Sequence, residues 1–298
     1  MDRIYVMELV RALQTGGLSR GEFLAKATLV VGAKASTQFL EAAVRYARPD
    51  LPPVIAEAAA ATTPTSAVVT PETGLNIELT QYQDVDGKPL TGYLARPAGA
   101  TRSAGVIVIQ EWWGLEEHIK DVVRRFARQG YVGLAPDLHH GVVVTEPDEA
   151  RKRVMDLDMA QAVHEIRQAL AFLKQQAYVG PKVGIVGFCM GGRLDLQTAR
   201  MEDGLGVAFY VSPLVDADTA QLKAPLLGLY GSQDQSIPVE RVKATNAALT
   251  AAGIDHEIHI YDAPHAFFKD SQPSGYNRAA AVDAWARTLE WFRRHLAP

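Results

Sequence analysis

Lys182-Val183-Gly184-Ile185-Val186-Gly187-Phe188-Cys189-Met190-Gly191-Gly192 is the stretch that decides the fold. It opens with a short apolar run that reads as a buried strand, and residues 191–200 read as a helix. Between them stands Cys189, the only cysteine of the chain, with glycine two residues before and two after it. Strand, sharp turn, nucleophile and helix make a nucleophile elbow, usually built around serine. The turn holds its central residue in a strained backbone conformation. A side chain at Gly187 or Gly191 would strike the strand or the helix. A lone cysteine is more often a buried structural residue, but glycine punctuation after an apolar strand is what an exposed thiol nucleophile needs.

The elbow predicts its surroundings. Apolar runs at 104–110, 131–135, 182–186, 206–210, 225–230 and 257–261 alternate with helical stretches at 117–129, 149–176, 239–252 and 276–296. The stretch 149–176 reads as one helix or two. Continuous apolar strands separated by helices indicate an α/β fold with a mostly parallel sheet covered on both faces. Residues 76–82 and 90–96 alternate as an antiparallel pair around Asp86-Gly87-Lys88. Ahead of them, residues 3–14 and 19–47 read as amphipathic helices, giving an N-terminal helical extension over 1–50. Residues 51–75, rich in Ala, Pro and Thr, read as a linker, and residues 76–298 as the catalytic domain.

A thiol nucleophile needs a base, and the base needs an orienting acid. In this arrangement both follow the nucleophile, on loops after later strands. Gly231-Ser232-Gln233-Asp234-Gln235-Ser236-Ile237-Pro238 follows the strand 225–230 and presents Asp234. Ala263-Pro264-His265-Ala266-Phe267 follows the strand 257–261 and presents His265. His118, His164, His256, His259 and His295 fall on helices or strands and read as surface or strand-packing residues. Gln110-Glu111-Trp112-Trp113-Gly114 follows the strand 104–110. There the backbone N–H of Trp112 is expected to complete an oxyanion hole with that of Met190. Glu111 is then a carboxylate close to the thiol, costly unless paired or protonated.

Composition narrows the function. The chain has 298 residues, 48% hydrophobic and 21% charged, with net charge −4. The acidic balance argues against a nucleic-acid partner. No Cys/His cluster has zinc spacing, and the adjacent pair His139-His140 is a poor metal site alone, so no metal is expected. No apolar run approaches a membrane span. Leu18-Ser19-Arg20-Gly21-Glu22-Phe23-Leu24 is a degenerate twin-arginine-like segment, with glycine where the second arginine belongs. A cytoplasmic location is expected, with export the alternative.

Together, the elbow, the Gln110–Gly114 segment, the Asp234 loop and Pro264-His265-Ala266-Phe267 resemble the dienelactone hydrolase (carboxymethylenebutenolidase-like) family of the α/β-hydrolase superfamily. The resemblance covers about residues 76–296. It implies an α/β-hydrolase fold, a Cys189–His265–Asp234 triad without a cofactor, and a small ester or lactone substrate opened through a thioester. It also implies that Glu111 takes the thiol proton when substrate binds. Family members hold a substrate carboxylate with two arginines. Here Lys269 stands four residues after the histidine. Near 146–150 there is no arginine, and Arg151 is adjacent. Trp112, Trp113 and Phe267 suggest an apolar, aromatic pocket, so Trp113, Arg151, Phe267 and Lys269 are the candidate substrate-binding residues. A promiscuous aryl esterase or thioesterase is the nearest alternative. A redox-sensing thiol lacks a resolving cysteine, and a pseudo-enzyme would not need the whole triad. The N-terminal helices are expected to pack on the catalytic domain or to join two copies as a homo-oligomer.

Overall fold

The computed structural model describes residues 69–100, 102–201, 205–210, 222 and 224–296. The expected helices at 3–14 and 19–47 and most of the 51–75 linker lie outside the described residues. Among the described residues eight strands form one sheet in the order β1-β2-β4-β3-β5-β6-β7-β8. They are β1 (Leu75–Gln83), β2 (Pro89–Pro97), β3 (Ser103–Ile109), β4 (Val132–Pro136), β5 (Val179–Phe188), β6 (Leu205–Phe209), β7 (Leu226–Gly231) and β8 (His256–Tyr261). β2 pairs antiparallel with β1 and with β4, and every later pairing is parallel. The described helices are α1 (Glu117–Arg128), α2 (Pro147–Asp156), α3 (Met159–Gln175), α4 (Met190–Met201), α5 (Val239–Ala251) and α6 (Arg278–Leu296).

Strand periodicity assigns the two layers. Val106, Val108, Val186 and Phe188 point to one face, where they pack with Phe126 of α1 and Trp291 and Phe292 of α6. Ile107, Ile109, Val183 and Ile185 point to the other, against Ile166, Ala169 and Leu173 of α3 and Leu194 of α4. Successive side chains of a strand face opposite sides, so a fully apolar run needs helices on both. Truncating one of the fully buried aromatics, such as Phe188 or Trp291, is expected to cost about 3–5 kcal/mol.

The stretch 149–176 resolves into two helices. Asp158 breaks it: its carboxylate accepts from the N–H groups of Ala160 and Gln161 and caps α3. Among the described residues no helix is long and apolar enough to cross a membrane. The parallel strands β3, β5, β7 and β8 all end at the same rim, which brings together four loops distant in sequence.

Candidate active site

Cys189 sits directly between β5 and α4 with φ +56°, in the left-handed region. A non-glycine residue there is strained by about 1–3 kcal/mol and must be held by its surroundings. Its N–H donates to the Phe209 carbonyl of β6 (3.1 Å), and its own carbonyl accepts from Gly192 (3.1 Å). A Cβ added at Gly187 would stand 2.1 Å from the Gly191 carbonyl oxygen. One at Gly191 would stand 2.5 Å from the carbonyl oxygens of Ile109 and Gln110. Both glycines are therefore required by close approach.

The acid and base loops are stitched to each other. Ser232 N–H donates to the Tyr261 carbonyl (2.7 Å) and Gln233 N–H to that of Ala263 (3.0 Å). A Cβ at Gly231 would meet the Ala263 oxygen at 2.3 Å. Across this seam His265 Nδ1 lies 2.5 Å from Asp234 Oδ2, and His265 Nε2 lies 3.2 Å from Cys189 Sγ. Asp234 is buried. Its Oδ1 accepts from Ser236 N–H (2.8 Å), Ser236 Oγ (2.6 Å) and Ile237 N–H (3.2 Å). Burial alone would raise the Asp234 pKa, but the hydrogen bonds from His265 and Ser236 outweigh it and hold the carboxyl below the ordinary aspartate value. Burial likewise pushes the His265 imidazole down. Its hydrogen bonds to Asp234 and Cys189 and their negative charges reverse that and lift it to about 10. The arrangement favours an imidazolium beside a sulfur.

Next to this chain lies a second buried polar group. Glu111 Oε1 accepts from the Tyr210 hydroxyl (3.3 Å), and Glu111 Oε2 stands 3.1 Å from Lys269 Nζ, at ion-pair distance though not in hydrogen-bond alignment. Lys269 Nζ also donates to Glu116 Oε1 and lies 5.1 Å from the centre of the Trp113 ring. Tyr210 has φ +35° and is fully buried, and its ring is edge-on to that of His265 at 5.0 Å. Burial, then the charges of Glu111 and Cys189, push its hydroxyl pKa far upward, so it stays a donor.

Comparison with known proteins supplies a family for this fold. The model of the dienelactone hydrolase family matches residues 90–296. A Salmonella typhimurium protein provisionally named carboxymethylenebutenolidase is 34% identical over 274 residues, covering 82% of this chain and 96% of its own. A Methylorubrum extorquens protein with the same provisional name is 37% identical over 228 residues, 69% of this chain and 77% of its own. The chain belongs to the dienelactone hydrolase family. A crystal structure from Klebsiella pneumoniae, provisionally a dienelactone hydrolase, superposes with a TM-score of 0.69 at 31% identity, covering 74% of this chain and 99% of that one. The protein is thus a dienelactone hydrolase-like hydrolase on an α/β-hydrolase fold.

Around Cys189 and His265, the remaining sequence candidates divide. Met190 opens α4, so its N–H is one of those a helix leaves without an internal partner. Trp112 and Trp113 are half-buried and meet edge to face at 5.2 Å. Phe267, expected to line the pocket, is instead fully buried among Phe209, Tyr210 and Tyr261, because residues 266–268 turn inward under the histidine loop. Lys269, expected at the pocket rim, is buried in the ion cluster described above. Arg151 is exposed on α2 and takes no part in the hydrogen bonds that assemble the triad. A cavity of about 450 Å³ opens between the His139-His140 turn, α2 and the start of α3. None of Cys189, Asp234 and His265 lines it, so it is not where the thiol chemistry is placed. Among the described residues no group of three or more His, Cys, Asp or Glu side chains is arranged to hold a metal ion.

Sequence reading missed Tyr210 and Glu116. Tyr210 stood at the end of an apolar strand, and Glu116 lay just ahead of the helical stretch 117–129 and was not singled out. It also missed what anchors the histidine loop to α1. Asp270 pairs with Arg125 (2.5 Å) and His118 (3.2 Å), and Arg125 pairs in turn with Asp121 (2.6 Å). The N–H of Thr70 donates to the same Asp121 (2.6 Å).

Proposed function

We propose that the protein hydrolyses carboxylic esters or lactones, without a cofactor, by nucleophilic attack of the Cys189 thiolate. The observation that carries this reading is the alignment of Asp234, His265 and Cys189 within contacts of 2.5 and 3.2 Å at a strained elbow. In the reaction His265 takes the thiol proton and Asp234 holds the resulting imidazolium. Sulfur adds to the carbonyl carbon. The oxyanion is stabilised by the N–H groups of Met190 and Trp112. On collapse the C–O bond breaks, and His265 returns the proton to the leaving alkoxide. A thioester remains; in a lactone the freed hydroxyl stays on the acyl chain. Water, deprotonated by His265, attacks the thioester and releases the acid and the thiol. Both Glu111 oxygens are engaged by Tyr210 and Lys269. The proton transfers are therefore assigned to His265, with Glu111 as part of its electrostatic frame.

The test is a panel of chromogenic esters and lactones run on the protein and on Cys189→Ala. The variant should lose at least about a thousandfold in kcat/KM, equivalent to about 4 kcal/mol of transition-state stabilisation. Near-parental hydrolysis by the variant would end the proposal.

A further inference from the structure

We propose that Asp270 is a positioning residue of the hydrolytic reaction. Paired with Arg125, it fixes the loop after β8 on α1 and so sets where the His265 ring stands between Asp234 and Cys189. The proposal rests on the hydrolase reading above and adds to it a residue that touches none of the reacting atoms.

The His265 side chain is 35% exposed, so burial in a core does not fix its ring. Its place depends on the backbone that carries it. One residue later that backbone is strained: Ala266 has φ +58°, in the left-handed region. A non-glycine residue stays there only where its surroundings over-determine it. Lys269 N–H donates to the Ala266 carbonyl (2.9 Å) and Asn277 N–H to that of Phe267 (3.0 Å). Both bonds lie within the loop, so they shape it without placing it on the domain. Phe267 and Phe268 are buried, but apolar contact is not directional. Lys269 reaches Glu116 on a flexible four-carbon stem. Asp270 has a short arm, and it is held from two directions.

Asp270 Oδ2 accepts from Arg125 Nη2 (2.5 Å), and Oδ1 lies 3.2 Å from His118 Nδ1. The Asp270 side chain is only 6% exposed. Burial would raise its pKa, but the hydrogen bond with His118 and the charge of Arg125 outweigh it and hold the carboxyl below the ordinary aspartate value. Charge-assisted bonds of this kind are short and strong. Arg125 is itself fixed. Its Nε donates to Asp121 Oδ2 (2.6 Å), and Asp121 Oδ1 accepts from Thr70 N–H (2.6 Å) and Arg124 Nη2 (3.2 Å). The Arg125 guanidinium also stands over the Phe268 ring at 5.8 Å. His118, Asp121 and Arg125 all belong to α1, which packs through Phe126 on the sheet face that carries Val186 and Phe188, just ahead of Cys189. Base and nucleophile are thereby referred to one rigid layer.

The experiment measures kcat and KM of the full-length protein for the chromogenic ester that the parent hydrolyses fastest. Asp270→Asn keeps the size of the side chain and removes its charge. It should lower kcat at least about fivefold and leave KM within about threefold, because a base displaced by about 1 Å slows chemistry and not substrate capture. Arg125→Lys keeps the charge but loses the fork that bridges Asp121 and Asp270, and should give the same pattern. It carries the test independently if Asp270→Asn does not fold by circular dichroism. Leu173→Val, in the layer on the opposite face of the sheet, lowers stability without touching the loop. It should keep kcat within about twofold of the parent. A smaller loss of kcat in the loop variants overturns the proposal. So does a loss carried by KM, or an equal loss of kcat in Leu173→Val.

Hydrolysis of no ester, even by the parent, would defeat the hydrolase reading. The positioning is then read from alkylation of the single cysteine by iodoacetamide. An imidazolium withdrawn from the sulfur no longer favours the thiolate, so the pH midpoint of alkylation should rise by at least about 0.3 unit in Asp270→Asn and Arg125→Lys. In Leu173→Val it should not move. A smaller rise in the loop variants, or an equal rise in Leu173→Val, overturns the assignment of Asp270.

Discussion

Asp234 and Asp195 are both buried aspartates, one on the loop before α5 and the other within α4, yet their surroundings push their pKa values in opposite directions. Asp234 takes hydrogen bonds from His265, from Ser236 twice and from Ile237, and its pKa lies below the ordinary value. Asp195 is fully buried, and neither carboxyl oxygen has a well-formed hydrogen bond. Burial raises its pKa well above the ordinary value, and the Val207 amide offsets this only in part. Burial by itself neutralises an acid, and donors aimed at its oxygens keep it charged. One carboxyl is thereby equipped to hold an imidazolium, and the other is a stored cost.

The comparison breaks most visibly at Asp234. Asp234→Asn keeps the shape but removes the charge behind His265. We expect kcat/KM to fall by roughly 10²–10⁴-fold, and the pH midpoint for alkylation of Cys189 to move because His265 loses its principal partner. The same pair governs stability. The raised His265 pKa contributes stability that is complete below about pH 6.5 and disappears as pH rises through about 10. The lowered Asp234 pKa contributes stability present above about pH 3.8 and lost as pH falls through its folded value. Parent and variant should therefore differ most in urea midpoint between those limits. A parent-to-variant difference in midpoint no larger at pH 5 than at pH 10.5 would contradict the ion pair.

Asp195 should behave in the reverse sense. A raised pKa means stability that is present at low pH and lost as pH climbs above the unfolded value of about 3.8. Asp195→Asn should remove that loss. It should stabilise the fold by about 1–3 kcal/mol more at pH 8.5 than at pH 4.5, because the amide cannot ionise on unfolding. A pH-independent difference in urea melts would show that Asp195 is ionised in the fold.

The smallest effect sharpens the contrast. Ser236→Ala removes one of the two Ser236 donors to Asp234, leaving the backbone N–H. Loss of about 1 kcal/mol is expected, with kcat/KM reduced no more than about tenfold. A loss as large as that of Asp234→Asn would mean that a single hydroxyl, and not the full set of donors, keeps the acid charged.

The legibility of these features follows the distance over which they are encoded. The elbow is local: apolar strand, paired glycines and helix lie within about a dozen residues, and Gly187 and Gly191 meet backbone as their spacing implies. Asp234 and His265 were readable because each follows a strand and stands in a short turn. Lys269 was noticed as a cation, but its fate depends on Glu111 and Glu116, far upstream and brought beside it where the loops after β3 and β8 meet. Tyr210 owes its place to the register of β6 between β5 and β7. No local pattern marks it, since an aromatic at the end of an apolar strand is ordinary core. Phe267 misled for the complementary reason: nearness to His265 in sequence does not say to which side of the loop its ring turns.

The elbow also carries a consequence in time. β1 and β2 are joined by a tight hairpin, whereas β3, β5 and β6 become neighbours only after long crossovers have closed. Such non-local pairings form slowly. Cys189 is held at positive φ by contacts from both sides, the Phe209 carbonyl from β6 and the snug seat of Gly191 against the end of β3. Until both strands have docked, nothing offsets the backbone strain, and the cysteine keeps an ordinary conformation with no histidine beside it. The strained elbow and its histidine are thus products of tertiary assembly: the one requires β3 and β6 beside β5, the other the loop after β8.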